Sequence, residues 1–210
     1  MGLKLGEDVP NFTAPSTEGE LNLYDYLGSS WGIIFSHPGA FTPVCTTELG
    51  EVAKLKDEFE KRNVKVIGLT TDQLPKIIDW VKDINETQHC TVNFPIIADH
   101  DYAVSSLYGM IHPQASTTFT VRSLYIIAPN KEIRLKITYP ASMGRNFNEI
   151  LRALDGLQLT AEHGVALPAN WKQGEDVIIM PSITTEEAKV KFPAGIQEVK
   201  PYLRYTPQPE

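Results

Sequence analysis

Cysteine is scarce in this chain: Cys45 and Cys90 are the only two in 210 residues. They form no Cys-x-x-Cys and show no paired spacing of the kind a zinc site or a disulfide scaffold needs. A fold built on disulfides is excluded, and a reducing compartment fits. Long apolar runs are missing as well. The longest, such as Leu124 to Ala128, fall far short of the ~20 residues of a membrane helix. The opening Met-Gly-Leu-Lys-Leu-Gly-Glu-Asp is not a secretory signal, so no membrane association and a cytoplasmic location are expected. Positive charge is in deficit. With 19 basic against 26 acidic residues and a net charge of −7, the chain has little attraction for phosphate backbones or anionic lipid, and nucleic acid is not an expected partner. The five histidines form no i, i+4 pair and stand near no cysteine cluster, which leaves a metal site without support. There is no internal repeat and no low-complexity tract.

What is present is a globular composition, 42% hydrophobic, enough to bury a full core in one domain with a short appended module. Its most informative stretch is Pro38-Gly-Ala-Phe-Thr-Pro-Val-Cys45, directly after the apolar run Trp31 to Phe35. Thr42 is a natural N-cap and Pro43 suits the first helical position. Cys45 then lies in the first helical turn, where unpaired amides and the positive end of the macrodipole favour an anion. Thiolate is the nucleophilic form of cysteine, so the placement predicts a reactive thiol.

Val64 to Leu69 reads as a second buried strand beside Trp31 to Phe35. Between them Leu49, Val52, Leu55 and Phe59 repeat at helical spacing, giving a βαβ unit. Gln73 to Ile84 predicts another helix, and Val92 to Ile97 a short strand broken at Pro95. A small helix is expected near Tyr102 to Tyr108. Phe119 to Ala128 and Ile133 to Tyr139 flank Pro129-Asn-Lys-Glu132 as a hairpin. After Asn146, a stripe of Phe147, Ile150, Leu151, Leu154 and Leu157 predicts a helix that closes the main domain. From Gly164 onward, prolines at 168, 181, 193, 201, 207 and 209 punctuate short segments. The expected division is 1–163 and 164–210, an α/β domain with a mixed central sheet flanked by helices, then a small C-terminal module.

A mixed sheet with a reactive cysteine at a helix start resembles a thioredoxin-like fold, although the usual paired-cysteine motif is absent. Pro38, Thr42 and Cys45 in the spacing Pro-x-x-x-Thr-x-x-Cys resemble the peroxiredoxin signature. The run Ser36 to Leu49, Tyr139-Pro-Ala141 with Gly144-Arg-Asn-Phe147, Leu157 to Thr160 and the tail Tyr202 to Pro209 resemble the one-cysteine, peroxiredoxin-6-like branch, so the likeness covers nearly the whole chain. The resemblance implies a thiol-dependent peroxidase that reduces hydrogen peroxide and organic hydroperoxides. Cys45 would attack the terminal peroxide oxygen and become a sulfenic acid. Thr42 would hydrogen-bond peroxide and thiolate, and Pro38 would shield the sulfur. Arg122, in Val121-Arg-Ser123, would pair with the thiolate and polarise the peroxide. Charge builds on the departing oxygen, and a permanent guanidinium aimed there lowers the barrier. His37 matches a histidine close to the sulfur, suited to donating a hydrogen bond or moving a proton. Arg145 matches a second arginine that supports the site from behind; a surface ion-pair partner is the alternative. No metal, haem or flavin cofactor is implied. The one-cysteine cycle implies an external thiol reductant, glutathione or a small redox protein, and the family usually pairs subunits as a homodimer.

Other readings stand beside this one. Cys90 lies in a polar stretch with no family context for a resolving thiol and reads as packing. Gly28-Ser-Ser-Trp-Gly32 satisfies Gly-x-Ser-x-Gly, and relatives in this branch have been assigned a phospholipase activity. The serine is kept as Ser30, but Tyr24 and Asn130 occupy the positions expected for the histidine and aspartate, and neither can perform those roles. The pentapeptide therefore reads as a turn before a strand. A redox sensor or holdase, in which oxidation of Cys45 alters assembly, is a rival from another class. A general disulfide oxidoreductase is weakened by the missing Cys-x-x-Cys.

Overall fold

In the computed structural model, which describes residues 2–210, the chain opens with an antiparallel pair, β1 (Thr13–Ser16) and β2 (Gly19–Asn22). Helix α1 (Leu23–Leu27) follows, its first amides at Tyr24 and Asp25 capped by the Asn22 side chain. Strand β3 (Trp31–Ser36) is buried at every position, as a central strand covered on both faces requires. It leads into α2 (Pro43–Lys54), α3 (Lys56–Lys61) and β4 (Val64–Thr70). The single helix expected through Leu49 and Phe59 is thus two. At Leu55 ψ rises to 12° and one amide is shared between the Glu51 and Val52 carbonyls, which tightens the turn and ends the first helix.

Helix α4 (Leu74–Gln88) ends on His89 in the left-handed conformation, four residues beyond the expected Ile84. Strand β5 (Ile96–Ala98) begins only after Pro95, which has no amide to give a ladder but whose carbonyl accepts from Gly68. Helix α5 (Ala103–Leu107) precedes the hairpin of β6 (Arg122–Ile127) and β7 (Ile133–Tyr139). The seven strands form one sheet in the order β2-β1-β5-β4-β3-β6-β7. Strands β3, β4 and β5 run parallel, and β6 joins β3 antiparallel. Ile34, Ile67, Leu69, Ile97, Tyr125 and Ile127 from these strands pack in one core with Leu23, Leu27, Val104 and Tyr108.

By internal packing the chain divides into Met1–Phe147 and Asn148–Glu210. Helix α6 (Phe147–His163) therefore falls almost wholly in the second unit, whereas the sequence pattern placed the boundary after it. The second unit also contains β8 (Val165–Ala166), β9 (Val177–Ile179), α7 (Thr185–Lys191), β10 (Gln197–Lys200) and β11 (Leu203–Thr206). Its strands form a separate antiparallel sheet in the order β10-β11-β9-β8, over a small core of Val165, Trp171, Val177, Ile179, Ala188 and Phe192. Helix α7 starts with a full capping box, Thr184 and Glu187. Among the described residues no helix is long and apolar enough to cross a membrane.

Candidate active site

The C-terminal end of β3 and the start of β6 are stitched together by small hydroxyl side chains. Ser36 Oγ donates to the Val121 carbonyl at 2.6 Å and accepts from the Ser123 amide at 3.2 Å, while Thr120 Oγ1 donates to the His37 carbonyl at 2.9 Å. These bonds fix Arg122, the first residue of β6, opposite the loop that β3 sends into α2. Cys45 is the third residue of α2 and is fully buried. Arg122 Nη1 donates to its Sγ at 3.3 Å.

Thr42 has the extended backbone of an N-cap, yet its side chain makes no capping bond. Its Oγ1 instead donates to the Gly39 carbonyl at 2.8 Å, so no side-chain cap stands over the first-turn amides. Pro38 is half-buried in the same loop.

Arg122 is held from two sides. Nε and Nη2 donate to the Ala141 carbonyl at 3.1 and 2.6 Å, and Nη1 donates to Glu48 Oε2 at 2.6 Å. Glu48 lies one helical turn after Cys45 and is the hub of the cluster. Arg145 donates to Glu48 Oε1 from Nε and from its own backbone amide, and to Oε2 from Nη2, each at 2.8 Å. Arg145 Nη1 reaches the Ser123 carbonyl at 3.0 Å, and its guanidinium lies 4.9 Å from the centre of the Phe35 ring. Arg145 is 6% exposed, so it is an interior residue and not a surface ion-pair partner. Burial pushes the Glu48 carboxyl up, but the hydrogen bonds and charge of Arg145, with the charge of Arg122, outweigh it and hold the group below the usual carboxylate range. Two guanidinium groups and one carboxylate leave this buried cluster with a net +1. The Cys45 sulfur lies against one of these two guanidinium groups.

Glu48 received no role from the sequence, although a signal was present. A carboxylate on the face of α2 that also carries Cys45, Leu49 and Val52 must find cations if that face is buried. The Ala141 carbonyl left no signal, because a backbone acceptor has no side-chain signature.

His37 is fully buried between Trp80, with ring centres 5.2 Å apart, and Phe35, at 6.4 Å. Neither ring nitrogen has a hydrogen-bond partner among the described residues, so the expected bond to the sulfur is not made. Burial first, then the positive charge of Arg145 and more weakly of Arg122, push the imidazole down to about 3 against the pull of Glu48 and Asp72. His37 is neutral here. Cys90 stands at the other end of a helix, just past α4, with Sγ 3.9 Å from the Ile84 carbonyl, and neither cysteine is in a disulfide. Ser30 Oγ donates to Asn63 Oδ1 at 2.8 Å and the Tyr24 hydroxyl to the Val9 carbonyl at 2.6 Å; both belong to the turn and packing ahead of β3.

Comparison with known proteins gives a consistent result. The AhpC/TSA family matches residues 5–136, and the C-terminal domain of 1-Cys peroxiredoxin matches residues 156–195. A 1-Cys peroxiredoxin of Dictyostelium discoideum is 56% identical over 207 residues, covering 99% of this chain and 86% of that protein. Peroxiredoxin-6 of Homo sapiens is 49% identical over 221 residues, 99% of each chain. A cysteine-to-serine mutant of the peroxiredoxin 6 of Arenicola marina superposes with a TM-score of 0.94 at 45% identity, covering 100% of both chains. The yeast mitochondrial 1-Cys peroxiredoxin superposes at 0.93 with 49% identity, covering 98% of this chain and 99% of its own. That structure is described for a thiol resolving mechanism via glutathione/thioredoxin systems.

Proposed function

The chain belongs to the 1-Cys peroxiredoxins of the AhpC/TSA family and is a thiol-dependent peroxidase; from that premise we propose that Cys45 is its peroxidatic residue, served by Arg122 and Thr42. The observation that carries this reading is the 3.3 Å contact from Arg122 to Cys45 Sγ inside a buried cluster with a net charge of +1. In the reaction the sulfur's electron pair forms a bond to the terminal oxygen of a hydroperoxide and the O–O bond breaks. The departing oxygen keeps the O–O bonding pair and takes the proton freed from the peroxide, leaving as water or an alcohol, and the sulfenate left on Cys45 takes a proton from solvent to become the sulfenic acid. Arg122 supplies fixed positive charge where charge develops on the departing oxygen. Glu48, Arg145 and the Ala141 carbonyl hold the guanidinium so that little reorganisation is needed. Pro38, half-buried in the same loop, is assigned to shielding the sulfur, and neutral His37 packs against Trp80 and Phe35.

The resulting sulfenic acid is attacked by an external thiol, releasing water and forming a mixed disulfide, and a second thiol then returns Cys45 to thiolate. Cys90 bonds back to the Ile84 and Asn85 carbonyls at the end of α4, which favours an external reductant, either glutathione or a small redox protein. A homodimer is supported by the place of β7 at one end of the sheet order, where the Gly6–Glu7 backbone bonds Ile133 and, among the described residues, no further strand continues the sheet, and light scattering tests it. The two unpaired thiols fit a reducing compartment such as the cytoplasm, and cell fractionation tests that.

One equivalent of hydrogen peroxide with a sulfenate trap, read by peptide mass spectrometry, tests the chemistry. Selective trapping at Cys45 is expected. A Cys45–Cys90 disulfide would give Cys90 the resolving role and overturn the external-thiol cycle.

A further inference from the structure

The turn from Gly39 to Thr42 contains Phe41 at φ 59°, a left-handed conformation that is costly for an aromatic residue. Such a turn persists only if its surroundings hold it, and the holding groups come from the segment that opens α4. Asp72 Oδ2 accepts the Ala40 amide at 2.6 Å and Thr70 Oγ1 at 3.0 Å, and Lys76 Nζ bonds Oδ1 at 2.5 Å. From farther along α4, Trp80 Nε1 donates to Thr46 Oγ1 at 3.0 Å, and Thr46 Oγ1 donates to the Thr42 carbonyl at 2.8 Å.

The Ala40 N–H and the Gly39 carbonyl belong to one peptide group. Asp72 therefore accepts from one end of the same peptide unit whose other end accepts the Thr42 hydroxyl. A carboxylate on the N–H polarises the peptide and strengthens its carbonyl as an acceptor. With its hydrogen committed to Gly39, the Thr42 oxygen presents only lone pairs to an incoming ligand.

We infer that Asp72 is a positioning residue for the peroxidase step. Through the Gly39–Ala40 peptide it fixes Thr42 as an acceptor for the hydroperoxide O–H. This orients the terminal oxygen toward Cys45. Lys76 and Thr70 keep the Asp72 carboxylate ionised and aimed: burial pushes its carboxyl up, while the Lys76, Ala40 and Thr70 hydrogen bonds hold it below the ordinary range.

The inference rests on the proposed roles of Cys45 and Thr42, and the test separates the two levels. Cys45 oxidation by hydrogen peroxide and its alkylation by iodoacetamide are timed by quench-flow mass spectrometry in wild type, Asp72→Ala, Thr42→Val and the double variant. Alkylation needs the sulfur but not an oriented peroxide. Asp72→Ala is expected to slow oxidation about tenfold, equivalent to ~1.4 kcal/mol, with alkylation changed less than about twofold. On the Thr42→Val background the same change should cost less than about twofold, because the group it acts through is gone. Losses that multiply, a parallel fall in alkylation, or an unaltered oxidation rate in Asp72→Ala would each overturn the role of Asp72. If Thr42→Val oxidises at the wild-type rate, the role of Thr42 fails and that of Asp72 with it. A wild-type Cys45 that peroxide does not oxidise sinks the broader reading. Should Asp72→Ala not fold, Asp72→Asn, which keeps an acceptor for Ala40, and Lys76→Ala serve in the same comparison with smaller expected losses.

Discussion

The two thiols of this chain sit at opposite poles of helices. Cys45 lies in the first turn of α2, against the Arg122 guanidinium and fully buried. Cys90 follows the last turn of α4, half-buried, with its sulfur turned to the Ile84 carbonyl. The positive end of a macrodipole and a buried cluster short of one negative charge surround the first; the negative end and a carbonyl oxygen face the second. Burial pushes the Cys90 thiol up, with Lys54 pulling weakly the other way. The same sulfur chemistry thus meets opposite surroundings, and unequal reactivity is the expected result.

Exchange of each thiol for a hydroxyl tests this difference most severely. Cys45→Ser is expected to abolish turnover of hydrogen peroxide in a coupled assay with a thiol reductant, and Cys90→Ser to leave it within about twofold, as a residue remote from the chemistry should. Retained turnover in Cys45→Ser, or its loss in Cys90→Ser, would reverse the assignment. The next largest effect belongs to Arg122. Arg122→Ala should cut the rate of Cys45 oxidation by about 10²–10³-fold, the usual cost of a preorganised donor. Arg122→Lys should recover only part, since a point charge cannot bond Glu48, Ala141 and the sulfur together. Alkylation of Cys90 in the same samples should not change, and a drop there would mean a general disturbance of the fold.

Much of the first thiol's setting is legible in the sequence. Thr42-Pro43 ahead of an amphipathic stripe marked the start of α2, and the β-branched runs of β3 and β4 marked the parallel pair that aims it. Arg122 on an apolar strand called for an anionic partner or solvent; the family resemblance offered the thiolate, and the structure places both Glu48 and the Cys45 sulfur against it. Arg145 left two readings open because its neighbours Gly144 and Asn146 say nothing about depth. The backbone acceptors at Gly39 and Ala141 had no signature at all. Strands β1 and β2 were missed because four residues each, with few inward positions, carry too little periodicity. Helix α4 ran past its last apolar residue through Asn85 to Gln88, a polar stretch with no apolar stripe to mark it.

Protons sharpen the contrast further. His37 is neutral when folded and takes up a proton near pH 6.5 when unfolded, with its folded value at about 3. Between these values the unfolded state binds more protons, so stability should fall as pH drops below about 6.5, by up to ~1.4 kcal/mol per pH unit. Glu48 acts in the same sense lower down. Its depressed carboxyl contributes stability above its unfolded value of 4.5, and that contribution is lost as pH falls through the folded value. Urea melts from pH 7 to pH 4 should show this decline, and His37→Leu should flatten its upper part. A wild-type midpoint independent of pH would contradict the burial of a neutral imidazole.

The smallest effect expected lies at the second thiol. Lys54 ends α2, and its charge favours a Cys90 thiolate. Lys54→Ala should therefore raise the Cys90 thiol further and slow its alkylation by iodoacetamide at pH 8, by less than about threefold, because a partly solvated charge is heavily screened. Cys45 should react as before, since its surroundings contain Arg122 and the start of the helix but not Lys54. An equal slowing at both thiols would place them under one shared field and remove the distinction between the two helix ends. A change confined to Cys90 would show that a weak, exposed cation at a helix C-terminus cannot stand in for a buried guanidinium at an N-terminus, even on a sulfur of the same kind.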